Sequence, residues 1–182
     1  MSEFWDKQMA HEPTRLYYEK LKGIIYRWIF QSLDIIDVLE IGLDVGISAR
    51  CFLEFPNIKL TSIDPGDIGI AIKEMEALGF NDRWTFHHMT SDAYFVQCKR
   101  EFDIIYIDGD HSYIQTKKDV DNAWKFLKGG GLLIGHDFLH KSNFYQNKDC
   151  GVTQAFREFI CEQNVEAHIY PPNPGLITIT KL

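Results

Sequence analysis

The stretch Val38-Leu39-Glu40-Ile41-Gly42-Leu43-Asp44-Val45-Gly46-Ile47-Ser48 constrains the fold of this chain more than any other segment. Ile35, Ile36, Val38, Leu39 and Ile41 form a short apolar run of the kind buried on both faces of a parallel sheet. Gly42 and Gly46 follow, and then a helical pattern begins. Such a strand–loop–helix unit brings backbone N–H groups against a nucleotide-like ligand. In that reading Gly42 lets the chain turn sharply out of the strand, Gly46 lets the helix N-terminus approach the ligand, and Ser48 caps the first turn. The spacing is G-x-x-x-G, not the G-x-G-x-x-G of a dinucleotide site. Glycine turns of this kind also arise for packing alone, so the loop does not by itself assign a ligand.

The strand–helix rhythm continues along the chain. Period and turn signals place strands at about 35–41, 58–63, 84–88, 103–108 and 131–136, and helices at about 46–54, 69–79, 91–98 and 113–128. In the last of these helices Ile114, Val120, Ala123, Trp124 and Leu127 recur at helical spacing, with Lys117, Lys118, Asp119 and Asp121 outside. Lys128-Gly129-Gly130-Gly131 then stops it. This alternation implies an α/β fold, a parallel sheet with helices on both faces. The end of the chain departs from it. After a helix at about 151–163, the runs Val165–Tyr170 and Leu176–Thr180 flank Pro171-Pro172-Asn173-Pro174-Gly175 and read as a hairpin. One of its strands must therefore run antiparallel to its neighbour. Residues 1–33 look helical and carry Tyr17, Tyr18, Tyr26, Trp28 and Phe30. They serve either as a helix packed on the sheet or as a cap over a pocket.

A length of 182 residues suits one domain, 1–182, with residues 1–33 preceding a core of 34–182. Such a domain buries roughly 70% of its unfolded surface and needs no disulfide or metal to hold it together. The net charge of −7 argues against duplex nucleic acid or an anionic membrane as the main partner. No apolar run approaches the roughly 18 residues of a membrane span, and no signal-peptide pattern opens the chain. Cys51, Cys98, Cys150 and Cys161 form no C-x-x-C pair, which leaves a zinc knuckle or thioredoxin-like site unsupported. Cys51 and Cys161 read as small core residues on helix faces. A reduced, cytoplasmic protein is the expectation.

In open α/β sheets, ligands bind at the carboxyl ends of the strands. The second strand ends in Ile63-Asp64, and an acid there can accept both hydroxyls of a ribose. The third ends near Ser91-Asp92, where Ser91 can alternatively be a plain helix N-cap. The fourth runs into Ile107-Asp108-Gly109-Asp110-His111, and the fifth into Gly135-His136-Asp137-Phe138. Acids clustered at a sheet edge are costly unless paired, hydrogen-bonded or bound to a cation. A Mg²⁺-type cation, which favours carboxylate oxygens and waters, accounts for them economically. The plainer alternative is that Asp108 and Asp110 only cap the following helix.

Five segments carry a family resemblance in order: LEIGLDVGISAR, TSIDPGD, FDIIYIDGDHSY, FLKGGGLLIGHDF and GVTQAFREF. Together they resemble class I S-adenosylmethionine-dependent methyltransferases of the methyltransferase-24 type. That type is related to the catechol/caffeoyl-CoA and macrocin-type O-methyltransferases. The first segment, with Glu40, Gly42 and Gly46 as E-x-G-x-x-x-G, matches their motif I. The resemblance implies a three-layer Rossmann-like fold with five parallel strands, a C-terminal antiparallel hairpin strand and order 3-2-1-4-5-7-6. It implies S-adenosylmethionine as cofactor, held by Glu40, Gly42, Gly46, Ser48, Asp64, Ser91, Asp92 and Asp108. Asp108 and Asp137 match metal ligands of the catechol-type relatives, and His136 stands where a third ligand could come from. Those relatives carry Asn where Phe138 stands here, and a general-base Lys where His111 stands. His111, His136 and Asp108 are thus the expected catalytic groups. The partner expected is a small-molecule acceptor, with no nucleic acid or membrane; a homodimer stays open. Two competing readings are an NAD-binding oxidoreductase and a non-catalytic nucleotide-binding protein. The missing third glycine and the hairpin disfavour the first, and the acid cluster disfavours the second.

Overall fold

The structure, a computed structural model, describes residues 2–29, 34–139, 151–171 and 175–182. Its centre is a seven-stranded sheet of order β3-β2-β1-β4-β5-β7-β6. The strands are β1 (Ile36–Ile41), β2 (Ile58–Ile63), β3 (Trp84–His87), β4 (Phe102–Ile107), β5 (Leu127–Gly135), β6 (Ala167–Tyr170) and β7 (Leu176–Thr180). β1 to β5 pair in parallel, while β7 runs antiparallel to both β5 and β6. The sheet order and the C-terminal hairpin are those expected; the hairpin turn at 172–174 lies outside the described residues.

The pleat divides the apolar residues between two cores, because successive side chains point to opposite faces. Val38, Ile104, Tyr106, Leu132 and Ile134 face one layer. That layer comprises α1 (Glu3–Ala10), α2 (Glu12–Ile29), α3 (Ile47–Leu53) and α4 (Gly69–Ala77). Leu39, Ile105, Ile107, Leu133 and Ile177 face α5 (Ser91–Gln97), α6 (Tyr113–Phe126) and α7 (Val152–Gln163). Amphipathic α2 buries Tyr18, Leu21, Ile25 and Ile29 at i, i+3, i+7 and i+11, so the N-terminal segment packs on the sheet. No described helix is long and apolar enough to cross a membrane.

Three expectations change. α6 ends at Phe126 and β5 already begins at Leu127, which pairs with Phe102. The glycines lie within β5 as an irregularity: Gly130 has φ 78° and donates to the Lys181 carbonyl at 2.6 Å. The buried face of α6 is phased on Thr116, Asp119, Val120 and Ala123, whereas Ile114 is 69% exposed. Cys51 is buried as expected, but Cys161 is exposed.

Gly135 ends β5 under helix α7. A Cβ there would sit 2.3 Å from Phe156 Cζ and 3.0 Å from Ile177 Cγ2. Phe156 is fully buried and has nowhere to turn. Gly135→Ala should therefore cost about 1–3 kcal/mol by overpacking, read as a lower urea midpoint with an unchanged slope.

Candidate active site

A cavity of about 1000 Å³ opens at the carboxyl ends of β1, β2, β4 and β5. That is the upper end of the range for small-molecule sites. Of the residues expected at a site, Gly42, Ser48, Asp64, Ser91, Asp92, Asp108, His111, His136 and Asp137 line it. Glu40 and Gly46 do not.

The glycine loop works differently from the expectation. Gly42 has φ 92°, and a Cβ on it would lie 2.0 Å from the Asp108 carbonyl oxygen. Its first role is to let the ends of β1 and β4 meet, before any ligand is considered. Gly46, at φ 87°, faces Ala71 and Met75, each 3.2 Å from where its Cβ would be, so it serves the packing of α3 on α4. Ser48 does not cap α3, whose N-cap is Gly46; it donates to Glu40 Oε1 at 2.5 Å. Glu40 is fully buried below the loop, and its Oε2 accepts from Ser62 at 2.6 Å. The Ser62 oxygen accepts in turn from the Trp84 indole at 3.0 Å. Glu40 thus ties β1, β2, β3 and α3 together instead of touching the cavity. Asp64 holds the loop directly: Oδ2 accepts from Leu43 and Asp44 N–H at 2.8 and 3.1 Å, and Oδ1 from Gly66 N–H at 2.7 Å.

On the wall formed by α5 and α6, Thr90 caps α5, which frees Ser91 to donate to Asp119 at 2.6 Å. Gln115 donates to Ser91, Asp92 and Asp119 at 3.1 to 3.2 Å. Burial pushes the Asp119 carboxyl up to about 6, against the hydrogen bonds from Ser91 and Gln115. Asp119 and Gln115 both line the cavity and were not anticipated. The signal was present, because Asp119 lies three residues beyond Thr116 on the buried stripe.

The opposite wall holds the strand-end cluster. Asp108 Oδ1 accepts from His136 Nδ1 at 3.0 Å and lies 3.4 Å from His111 Nε2. Its Oδ2 accepts from the Tyr106 hydroxyl at 2.8 Å. Asp137 reaches His111 at 3.1 Å and His136 at 3.3 Å. It does so from a left-handed backbone, φ 56°. Asp110 instead accepts from Ser112 N–H at the start of α6, the capping alternative considered for both acids. Burial opposes the charge on Asp108, but His136 and His111 outweigh it and hold the carboxyl well below its usual range. Burial likewise opposes the His136 cation, yet Asp108 and Asp137 push the ring up to about 10. The hydrogen bond to Asp108 raises His111.

Asp108, His111 and Asp137 offer ligand atoms within 4.8 Å of one another, a set of two carboxylates and an imidazole that suits a divalent cation. His111, not His136, completes that group: His136 turns Nδ1 to the carboxylates, and its buried Nε2 has no partner among the described residues. Phe138 is buried in the core and supplies no ligand.

This sheet order, the E-x-G-x-x-x-G loop and a cavity at the strand ends define the class I methyltransferase fold. The profile of the methyltransferase-24 family, described as a methyltransferase domain, matches residues 39–138, and the chain belongs to that family. Solved structures agree in fold. A Staphylococcus aureus protein, provisionally described as a caffeoyl-CoA O-methyltransferase, superposes with a TM-score of 0.79 at 18% identity, covering 100% of this chain and 93% of that one. A Bacillus cereus O-methyltransferase, solved with SAH, gives 0.70 at 18% over 91% and 81%. TomG of Streptomyces achromogenes, an O-methyltransferase of tomaymycin synthesis solved with SAM, gives 0.71 at 14% over 100% and 91%. No curated protein matches the chain in sequence at a significant level.

Burial pushes Glu40 up to about 8 from its ordinary 4.5, although Ser48 and Ser62 donate to it. The folded state therefore holds this proton more tightly than the unfolded chain. That contribution to stability is complete below pH 4.5 and is lost as pH rises to about 8, a change on the order of a few kcal/mol. Glu40→Gln should flatten that decline in urea titrations run from pH 5 to 9. An equally steep decline in the variant would remove Glu40 as its source.

Proposed function

We propose that this protein is an S-adenosylmethionine-dependent O-methyltransferase acting on a hydroxyl of a small molecule: a sugar, a catechol-like compound or a natural product. The observation that carries the reading is the convergence of Asp108, His111, His136 and Asp137 on the cavity that the glycine loop and Asp64 also line. Binding of a nucleotide alone would not require that cluster. Asp44, Asp64, Asp92, Asp108, Asp110, Asp119 and Asp137 line the cavity, with no Lys or Arg among the described lining residues. A field of this sign complements a sulfonium cation. The family and the SAM- and SAH-bound relatives support the same donor. Residues 1–33 are proposed to act as the cap of one domain spanning 1–182, since His11, Pro13 and Tyr17 reach the cavity wall. The expected setting is cytoplasmic.

Methyl transfer from a sulfonium is an in-line displacement, so positioning is a large part of the catalysis. In this proposal Gly42, Ser48, Asp64, Ser91 and Asp92 border the donor, and the cluster receives the acceptor. His136, pushed up to about 10, donates a hydrogen bond near neutral pH instead of acting as a base. Its Nδ1 proton is directed at Asp108 and Asp137, so in this proposal the ring orients the two carboxylates that face the acceptor. His111, which is more exposed, is the proposed proton acceptor when no cation occupies the cluster. A divalent cation such as Mg²⁺, held by Asp108, His111 and Asp137, would lower the pKa of the acceptor hydroxyl and orient it.

Calorimetry should show binding of S-adenosylmethionine and S-adenosylhomocysteine; tight NAD binding without either would end this reading. Asp108→Ala and Asp137→Ala should each cut metal-stimulated methyl transfer to a panel of hydroxylated acceptors by about 10²-fold or more. Their affinity for S-adenosylhomocysteine should stay within about threefold of the parent, because the proposed donor-binding residues lie just past β1 and β2 and on α3 and α5. Wild-type rates for both variants in the presence of a chelator would make the cluster structural and the metal assignment wrong.

A further inference from the structure

Two tyrosines that the proposed chemistry does not use connect the N-terminal helix to the acid cluster. The hydroxyls of Tyr17 on α2 and Tyr106 on β4 lie 2.5 Å apart, and Tyr106 lies 2.8 Å from Asp108 Oδ2. The direction of this chain follows from inventory. An ionised carboxylate can only accept, so the one hydroxyl proton of Tyr106 goes to Asp108. Tyr17 must then donate to the Tyr106 oxygen. Both oxygens of Asp108 are thereby committed, Oδ2 to Tyr106 and Oδ1 to His136 Nδ1 and His111. Tyr17 also touches the far end of the chain: its ring meets the His136 ring edge-on, with centroids 4.6 Å apart and planes at 65°.

The hydroxyls are not there for packing. Tyr106 is fully buried, with Ile104, Ile105 and Ile107 as its strand neighbours, and Phe would fill the same apolar volume. A buried hydroxyl is retained at a cost unless its hydrogen bond does something. Here it aims a carboxylate. His136 Nδ1 faces Asp108 Oδ1 at 3.0 Å and Asp137 Oδ1 at 3.3 Å, so Nδ1 carries a proton and the ring orientation is set by where those oxygens stand. The consequence is a side chain that borders the cavity beside Tyr17 while its Nε2 stays buried, with no partner among the described residues.

We propose that Tyr17 is a positioning residue: through Tyr106 it fixes the Asp108 carboxylate, and so the orientation of the His136 ring beside the cavity. The inference rests on the methyltransferase reading for what the cluster serves, but the relay itself can be tested without an acceptor. Helix α2 is then part of the active-site geometry as well as its wall.

The test compares wild type, Tyr17→Phe, Tyr106→Phe and the double variant, each as the full chain. Ring ¹⁵N and ¹H signals of the histidines are recorded, with His136→Gln used to assign His136. Binding of S-adenosylhomocysteine is measured by calorimetry in the same samples. Tyr17→Phe keeps the aromatic ring against His136, so any change reports the hydroxyl alone. Each single variant should move the His136 Nδ1 and Nε2 signals in the same direction. The double variant should add little to Tyr106→Phe, because one chain is cut once or twice. Affinity for S-adenosylhomocysteine should stay within about twofold. Unchanged His136 signals in Tyr17→Phe, or fully additive shifts in the double variant, would overturn the relay. Failure of the wild type to bind S-adenosylhomocysteine would overturn the methyltransferase reading instead, and the imidazole signals would still decide the relay.

Discussion

The site depends on one steric constraint, the contact between Gly42 and the backbone of Asp108. No side chain fits at position 42, where even a Cβ would overlap the Asp108 carbonyl. Because the two backbones can close, strand pairing runs on past the formal ends of the sheet. Gly42 N–H reaches Ile63, Asp108 N–H reaches Ile41, and His136 N–H reaches Ile107, at 2.8 to 3.0 Å. Asp108 and His136 therefore leave the sheet from backbone that is still hydrogen-bonded. Side chains set on such rigid elements hold their geometry better than side chains on loops.

That rigidity carries a cost in charge. Asp108 and Asp137 bring two carboxylates into one small space, and Asp137 holds a left-handed backbone that costs on the order of 1–3 kcal/mol to get there. Two imidazoles drawn toward their charged forms offset the repulsion. A cation at the same oxygens would do so in their place. The cluster is thus a region of concentrated negative potential whose counter-charge is exchangeable, which suits a place where charge develops during a reaction.

Much of this was legible in the sequence, and the limits have physical causes. Local signals were sufficient for the parallel α/β class, because alternating apolar strands and helices admit few topologies, and the Pro- and Gly-rich segment before Leu176 marked the antiparallel return; the strand order followed from the family resemblance. Strand-end positions were legible too, since Asp64, Asp108, His111, His136 and Asp137 follow directly from where strands stop. Roles were less so. Glu40, Gly46 and Ser48 belong to the motif, yet two of them bond each other beneath the loop and the third packs on α4; spacing reports position, not direction. Counting Ile114 in the buried face of α6 puts Asp119 outside, whereas the stripe runs through Thr116 and Asp119 and leaves Ile114 exposed. Tyr17 and Tyr106 are 89 residues apart, and no local pattern couples them.

The cavity divides along the same line. Its glycine-loop side is built from elements consecutive in the chain and cross-linked by Glu40 through Ser48, Ser62 and Trp84. A change there is transmitted to three strands at once, so that half tolerates little variation. The other half draws His11, Pro13 and Tyr17 from the junction of α1 and α2, far from the motif in sequence. All three line the same cavity as His111, His136 and Asp137, Tyr17 meets the His136 ring, and none of them lies on a strand. Substitutions at His11 or Pro13 can therefore reshape this part of the cavity wall while β1, β4 and β5 keep the strand-end cluster in place. Tyr17 is the exception, because its hydroxyl belongs to the chain that aims His136. On this geometry, the cavity-lining residues of one helical segment divide into two that only shape the wall and one hydrogen-bonded through to the strand-end cluster.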